Sequence, residues 1–439
     1  MRSAADSYRL TLERLEAQGR FGVRLGLERM AVVLARLGHP HRKFLSVHLA
    51  GTNGKGSTAA MIASCLQQAG RRTGLYTSPH LSRFTERIRV DGVEVSRDEV
   101  VRLAAVVLET DPELSFFEVV TGMAFVHLAE QGVEVAVVET GLGGRLDATN
   151  VIDPLVCVLT RIGLDHTDVL GRELRQVARE KAGIIKPGRA VVCAPLATEE
   201  VTRVVEDRCR DLDAKLWLLG RDFHLSAARE AEGLPWSAGR ARYIGPDGPV
   251  LLPRLGLAGG FQLENAALCL AAIDQLRRHG INVDAQHLHR GLADVRWPGR
   301  FEWVGRHLLD GAHNPGGTRA LAHSLSDGER FTLVFGVIGE RDAVELVQPL
   351  LPRCGRVIVT RARSERAAEP PDLARALGPL VQGKVEVARD LEQALRLASD
   401  SAEPVLVTGS LYLVGEAREL LLGEPADPVR IADPLGRVR

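Results

Sequence analysis

Residues 44–58 read FLSVHLAGTNGKGST, an apolar run that passes directly into a glycine-rich turn. MIASCLQQAG follows with helical periodicity and ends on glycine. Strand, glycine-rich loop and helix in that order are the setting a phosphate-binding loop requires. Glycines let the backbone wrap a phosphate chain, while free amides and the helix N-terminus attract its charge. Gly51, Thr52, Asn53, Gly54, Lys55, Gly56, Ser57 and Thr58 therefore form the expected ATP-binding segment. Lys55 is placed to bridge the terminal phosphates, and a hydroxyl of Ser57 or Thr58 to ligate magnesium. The spacing is shorter than the common G-x-x-x-x-G-K-[ST] form, because position 49 is leucine. The plain alternative is a glycine-rich turn capped by Ser57.

Outward from this loop, short apolar strands alternate with amphipathic helices, a pattern that predicts parallel sheets covered by helices. Segments 44–50, 73–77, 133–140, 155–160 and 190–193 form a first series of expected strands. A second series, 307–310, 331–336, 356–360, 385–388 and 405–408, follows Trp297-Pro298-Gly299-Arg300. The fold class is thus α/β, a P-loop ATPase-type mostly parallel sheet domain followed by a smaller Rossmann-like α/β domain. The expected division is 1–296 and 297–439, two domains being natural for 439 residues. The Gly- and Pro-rich segment 229–253 reads as excursions or short hairpins.

Zero formal net charge gives no global reason to bind nucleic acid or anionic lipid. The N-terminal stretch is polar and helical in pattern, and no apolar run approaches the roughly 20 residues of a membrane span. The six cysteines are scattered without metal-ligand spacing, as in a reduced cytoplasm. A soluble cytoplasmic protein is expected.

Polar residues recur where the expected strands end, the edge at which open parallel sheets bind ligands. One strand ends at Thr77-Ser78-Pro79-His80, another at Glu139 before Gly141-Leu142-Gly143-Gly144, and a third runs into Gly163-Leu164-Asp165-His166. A buried glutamate after an apolar strand is costly unless a cation neutralises it. Glu139 is therefore a candidate magnesium ligand, with a capping or salt-bridged carboxylate as the alternative. Alone, His166 reads as a structural histidine and Ser78 as a cap; the argument for them is their occurrence together.

The blocks GTNGKGS, TSPHLSRFTERI, ETGLGGRLDATN, IGLDHTDVLG, EKAGIIKPG, WPGRFE, DGAHNP and TGSLYLVGE resemble, in order, those of the folylpolyglutamate synthase/dihydrofolate synthase family of the Mur ligase superfamily. The resemblance covers nearly the whole chain. It implies ATP-dependent amide formation: a substrate carboxylate takes the γ-phosphate, and the amine of L-glutamate displaces phosphate from the acyl phosphate. It implies two magnesium ions, one on Ser57 and Glu139 and one on Ser78, Glu139 and His166, and leaves a monovalent cation open. Lys181 matches a lysine that is carbamylated in the family; read without the family it is an ordinary helical lysine. Arg300, Asn265 and Asp310 match nucleotide contacts, with Gln262 beside them. His313 matches a residue that places the incoming glutamate, and Ser410 a glutamate-binding segment. Turns, caps and helix–helix hydrogen bonds remain the alternatives for these.

Asp147 and Phe117 resemble positions that hold the pterin of dihydropteroate, by hydrogen bonding and by stacking. The loop 81–87, with Arg83, is a plausible cover for an anionic folate tail. Asp147 as an N-cap and Phe117 as core are the competing readings. The chain departs from many relatives at Ile338-Gly339-Glu340-Arg341-Asp342, where those carry a lysine-rich turn, and at Phe261, often histidine. The implied activity is glutamate addition to dihydropteroate and to reduced folates. Alternatives are a monofunctional folylpolyglutamate synthase, another Mur-type peptide ligase or a nucleotide switch. The expected partners are small molecules only, and the family expectation is a monomer.

Overall fold

A computed structural model describes residues 4–22, 26–227, 241–246, 248–326, 328–429 and 431. The first sheet holds β1 (Leu45–Ala50), β2 (Thr73–Tyr76), β3 (Ile88–Val90), β4 (Val93–Glu94), β5 (Val135–Glu139), β6 (Val156–Leu159), β7 (Ala190–Cys193) and β8 (Lys215–Leu218). Its order is β4-β3-β2-β5-β1-β6-β7-β8. Every pairing is parallel except those of β3 with β2 and with β4. Strands β5 and β6 are buried throughout, which is why their sequences are apolar runs without alternation.

Helix 55–68, with helices 261–277 and 285–294, closes one face of this sheet around Val47, Leu49, Val137 and Val158. Helices 4–17, 97–110 and 116–130 close the other around Tyr76, Ala136 and Val138. Strand β1 lies centrally between β5 and β6, so the loop leaving it emerges between their C-terminal ends. The edge hairpin β3–β4 and strand β8 were not expected from periodicity, being short and, in β8, only half-buried.

Strands β9 (His224–Ala227), β10 (Ala241–Gly245) and β11 (Gly248–Leu251) form a small antiparallel sheet. This accords with short hairpins in 229–253, although residues 228–240 and 247 lie outside the described residues. The second large sheet contains β12 (Glu302–Val304), β13 (His307–Leu309), β14 (Phe331–Phe335), β15 (Cys354–Val359), β16 (Val385–Val387) and β17 (Val405–Thr408). Its order is β12-β13-β17-β14-β15-β16, parallel except for the β12–β13 hairpin. The chain is therefore α/β, with a large mostly parallel sheet and a second sheet domain. Among the described residues no helix is long and apolar enough to cross a membrane.

Candidate active site

The loop after β1 is held by the segment that follows β6, through both its backbone and the Thr52 side chain. Thr52 N donates to Arg161 O at 2.8 Å, and Thr52 Oγ1 donates to Gly163 O, also at 2.8 Å. Gly51 has φ +156°, and a Cβ there would collide with Thr160 Oγ1. That position requires glycine for both reasons. Gly54 opens helix 55–68 in a left-handed conformation, which turns the amides of Lys55 and Gly56 into the helix N-terminus.

Lys55 Nζ lies 3.7 Å from Glu139 Oε1, bringing together the lysine of the loop and the acid at the end of β5. Burial pushes the Glu139 carboxyl up to about 6, and Lys55 opposes that shift. Ser78, just past β2, donates its backbone N–H to Glu139 Oε2 at 3.4 Å. Its hydroxyl is buried and has no hydrogen-bond partner among the described residues, as is also true of Thr58 Oγ1. Ser57 Oγ accepts only a long bond, 3.4 Å, from Gln262 Nε2, which is itself anchored through Asn265 Nδ2 to Gln262 Oε1 at 2.8 Å.

His166 occupies a left-handed turn (φ 51°) before helix 167–170. Burial lowers its imidazole to about 4, against the neighbouring Asp165, so the ring is neutral near pH 7. Lys181 is buried on helix 174–182 and donates from Nζ to Gly51 O at 2.8 Å. Burial, with Lys55 next, lowers its amine to about 7.

The second sheet domain contributes the opposite wall. Asn314 and Asn53 exchange two amide hydrogen bonds of 2.9 and 3.0 Å, and Asn314 Nδ2 also donates to Asp165 Oδ2 at 3.0 Å. Arg341 Nη1 donates to Asp165 Oδ1 at 3.2 Å and to the His313 carbonyl. His313 Nε2 stands 3.6 Å from Asp165 Oδ2. Burial alone would raise the Asp165 carboxyl, yet His313, His166 and Arg341 together hold it well below the usual range. Asp310 accepts from Phe301 N and Ala312 N at 2.9 Å each, close enough to Arg300 for the two to perturb each other.

Three expected substrate contacts meet residues with other engagements. Asp147 Oδ2 accepts from Gly141 N (2.9 Å) and Leu142 N (2.8 Å), while Oδ1 accepts from Thr149 N (3.0 Å) and Thr149 Oγ1 (2.5 Å). A carboxylate has about four lone-pair sites. Those of Asp147 are filled by the loop it caps, so it shapes the wall rather than offering an open acceptor. The Arg83 guanidinium is tied to Glu94 at 2.9 Å and to Glu424 at 3.4 Å. Ser410 Oγ caps helix 411–422 by accepting from Tyr412 N and Leu413 N. Phe117 is half-buried and stacked on Tyr76, centroids 6.2 Å apart at 25°. A Cβ at Gly141 would run into its ring, so glycine is what admits it.

Asp165 and Asn314 carry no site role in the sequence reading, and Arg341 enters it only through the departure at residues 338–342. The available signal was Asp165 beside His166 at a strand end, and Asn314 directly after His313.

Two family models cover most of the chain: the Mur ligase middle domain matches residues 49–273, and the Mur ligase glutamate ligase domain matches residues 299–411. The chain belongs to the Mur ligase family. It is 34% identical to the dihydrofolate synthase/folylpolyglutamate synthase of Bacillus subtilis, over 92% of this chain and 96% of that protein. It is 35% identical to a probable bifunctional folylpolyglutamate synthase/dihydropteroate synthase of Haloferax volcanii, where it spans about half (49%) of the relative's length. A Mycobacterium tuberculosis folylpolyglutamate synthase complexed with ADP superposes with a TM-score of 0.86 at 32% identity, over 97% of this chain and all of that one. An Escherichia coli FolC in complex with DHPP and ADP gives 0.83 at 30% identity, over 96% and 99%. This Mur ligase is thus an ATP-dependent ligase of the folylpolyglutamate synthase/dihydrofolate synthase group.

Proposed function

We propose that this ligase joins L-glutamate to dihydropteroate and, in further rounds, to reduced folates. The reading is carried by the meeting of Lys55, Glu139 and Ser78 at the C-terminal ends of β1, β5 and β2, facing Asn314 and His313 of the second sheet. In it, a carboxylate oxygen of the substrate bonds to the γ-phosphorus of ATP and the bond to ADP breaks. The glutamate amine, having lost a proton, then bonds to the acyl carbon and phosphate leaves. A free carboxylate is a poor electrophile; the acyl phosphate supplies the leaving group. Catalysis in such a site is mostly positioning and charge neutralisation.

Loop residues 51–58 bind the ATP phosphates, with Lys55 on the terminal pair and Asn265, Arg300 and Asp310 on the remainder of the nucleotide. The orphaned Ser78 hydroxyl, the weakly bonded Ser57 hydroxyl, the raised Glu139 carboxyl and the neutral His166 ring fit magnesium. Among the described residues no three His, Cys, Asp or Glu side chains gather to hold a metal by themselves. Hydroxyls and phosphate oxygens therefore complete the set. Magnesium, when bound, neutralises the phosphate charge against which the substrate carboxylate must approach. Lys181, with its amine near neutrality, is the side chain suited to take up carbon dioxide as a carbamate. His313 places the incoming amine, and Ser410 orders the segment beside it.

Phe117 offers the face on which the pterin ring lies, within the wall that Asp147 shapes; Arg83 holds the loop 81–87 closed over that end. The unit of activity is a cytoplasmic monomer whose two domains meet at residues 296 and 297. The test is labelled glutamate, ATP and magnesium with dihydropteroate or tetrahydrofolate offered separately. Incorporation with both establishes the bifunctional reading, and incorporation with tetrahydrofolate alone reduces it to polyglutamylation. ADP release stimulated only by UDP-muramyl substrates overturns it.

A further inference from the structure

His48 stands on the central strand β1 between Val138 of β5 and Cys157 of β6, with no exposed surface. It is an imidazole in a row of valines and leucines, where an apolar residue would suit the core better. Its Nε2 lies 2.8 Å from Thr149 Oγ1, and Thr149 Oγ1 lies 2.5 Å from Asp147 Oδ1. Burial raises the Asp147 carboxyl, but three backbone N–H groups and the Thr149 hydroxyl oppose that shift, so the geometry assigns Asp147 as the acceptor and the Thr149 hydroxyl as the donor. That hydroxyl then accepts from His48, which carries its proton on Nε2. Nδ1 is left as a bare buried acceptor, and it has no hydrogen-bond partner among the described residues. An unsatisfied buried group costs stability. His48 is thus kept in a tautomer that weakens the core but delivers one N–H to Thr149.

Beyond Asp147 the chain reaches the backbone of Gly141 and Leu142, immediately under the Phe117 ring. The far end of the same loop is anchored separately, by Lys186 Nζ on Asn150 O at 2.7 Å and by Asn150 Nδ2 on Gly183 O at 3.1 Å. The relay therefore controls the near end, the part that meets the ring-binding face.

We infer that His48 is a positioning residue for recognition of the substrate's bicyclic heteroaromatic ring, acting through Thr149 and Asp147 on the wall formed by residues 141–149 and Phe117. The inference rests on the proposed pterin-binding role of Phe117. It assigns His48 no contact with ATP, although the residue lies only three positions before Gly51.

The test compares His48→Leu, His48→Gln and Thr149→Val in the full-length protein, with KM for dihydropteroate and for ATP, kcat and melting temperature measured for each. Losing the His48–Thr149 hydrogen bond predicts a rise in the dihydropteroate KM of about tenfold in His48→Leu, and Thr149→Val, which loses both bonds of the relay, rises at least as much. The ATP KM and kcat stay within about twofold of the parent. His48→Gln, whose amide can donate to Thr149, recovers most of the loss. His48→Leu melts no lower than the parent, because it removes the orphaned Nδ1; a purely structural histidine would give a lower melting temperature with unchanged KM. That result overturns the inference, as do equal rises in both KM values or a glutamine variant no better than leucine. Should His48→Leu not fold, the near-isosteric Thr149→Val decides alone. Phe117→Ala separates the two levels: an unchanged dihydropteroate KM there refutes the pterin reading itself. A raised KM in Phe117→Ala with no effect in the relay variants refutes only the role of His48.

Discussion

Replacing Asp147 by asparagine changes little in shape and much in hydrogen bonding. The carboxylate receives four donors, two from Gly141 and Leu142 and two from Thr149. An amide has one acceptor oxygen. If its NH2 faces Gly141 and Leu142, two backbone N–H groups are left against a donor. The cheaper orientation turns NH2 towards Thr149, whose hydroxyl can reverse and accept. That still strands the Thr149 N–H in a buried site, and the two bonds to Gly141 and Leu142 lose their ionic partner. A stranded buried donor costs about 1–3 kcal/mol, and a bond to a charged group is worth about 1.5–3 kcal/mol against about 1 for a neutral one. The sum is about 4.5 kcal/mol, which at roughly 2 °C per kcal/mol in a domain of this size lowers the melting temperature by about 9 °C. Calorimetry of Asp147→Asn with and without ATP checks this. The dihydropteroate KM should rise together with the destabilisation, because the loop and the wall are one structure. A variant melting within about 1 °C of the parent, with a raised dihydropteroate KM, would show that the carboxylate serves the substrate directly and would refute the loop-capping account.

Three other perturbations probe separate parts of the molecule. Lys55→Ala removes the cation that faces Glu139 and, in the proposed site, the phosphate chain; ATP-dependent turnover should vanish with the circular-dichroism spectrum retained, and near-normal turnover refutes the loop assignment. The Lys181 amine falls from 10.5 to about 7 on folding, so between those values the unfolded chain binds more protons and stability rises with pH. The slope is at most about 1.4 kcal/mol per pH unit and disappears below pH 7. Lys181→Met should lack it in denaturant titrations between pH 7 and 9, and equal slopes in both proteins would contradict the buried-amine assignment. Asp427 accepts from Tyr8 Oη at 3.1 Å and from Phe84 N at 2.6 Å, tying the segment after helix 411–422 to the loop 81–87. Asp427→Ala leaves two buried donors without an acceptor, at about 2–4 kcal/mol. Hydrogen exchange of residues 81–87 should accelerate at least tenfold, and unchanged exchange would show that the segment does not restrain the loop.

What could be read from the sequence follows from how local each feature is. The loop 51–58 was legible because strand, glycines and helix are contiguous, and each glycine answers to a conformation or a contact there. Glu139, Ser78 and His166 stand out as candidates because apolar runs announce where buried strands stop, and the structure brings Ser78 N within 3.4 Å of Glu139. The hydrogen bonds that engage Asp147, Arg83 and Ser410 are less legible, because a carboxylate quoted as a motif does not reveal how many of its lone pairs are filled. Least visible were pairings across long stretches of chain, such as Asn53 with Asn314 or His48 with Thr149, which exist only once β1 is flanked by its neighbours and the second sheet is docked. Asp165 shows what that docking adds. It belongs to the first sheet's edge, yet Asn314, Arg341 and His313 of the second domain converge on it. The Arg341 guanidinium reaches both the carboxylate and the His313 carbonyl, as a single ammonium is less suited to do. The arrangement ties His313 to the strand end that bears His166. In the proposed reaction, substrate activation and amine delivery are coupled through this buried carboxylate, while the Asn53–Asn314 pair ties the loop 51–58 to the same domain.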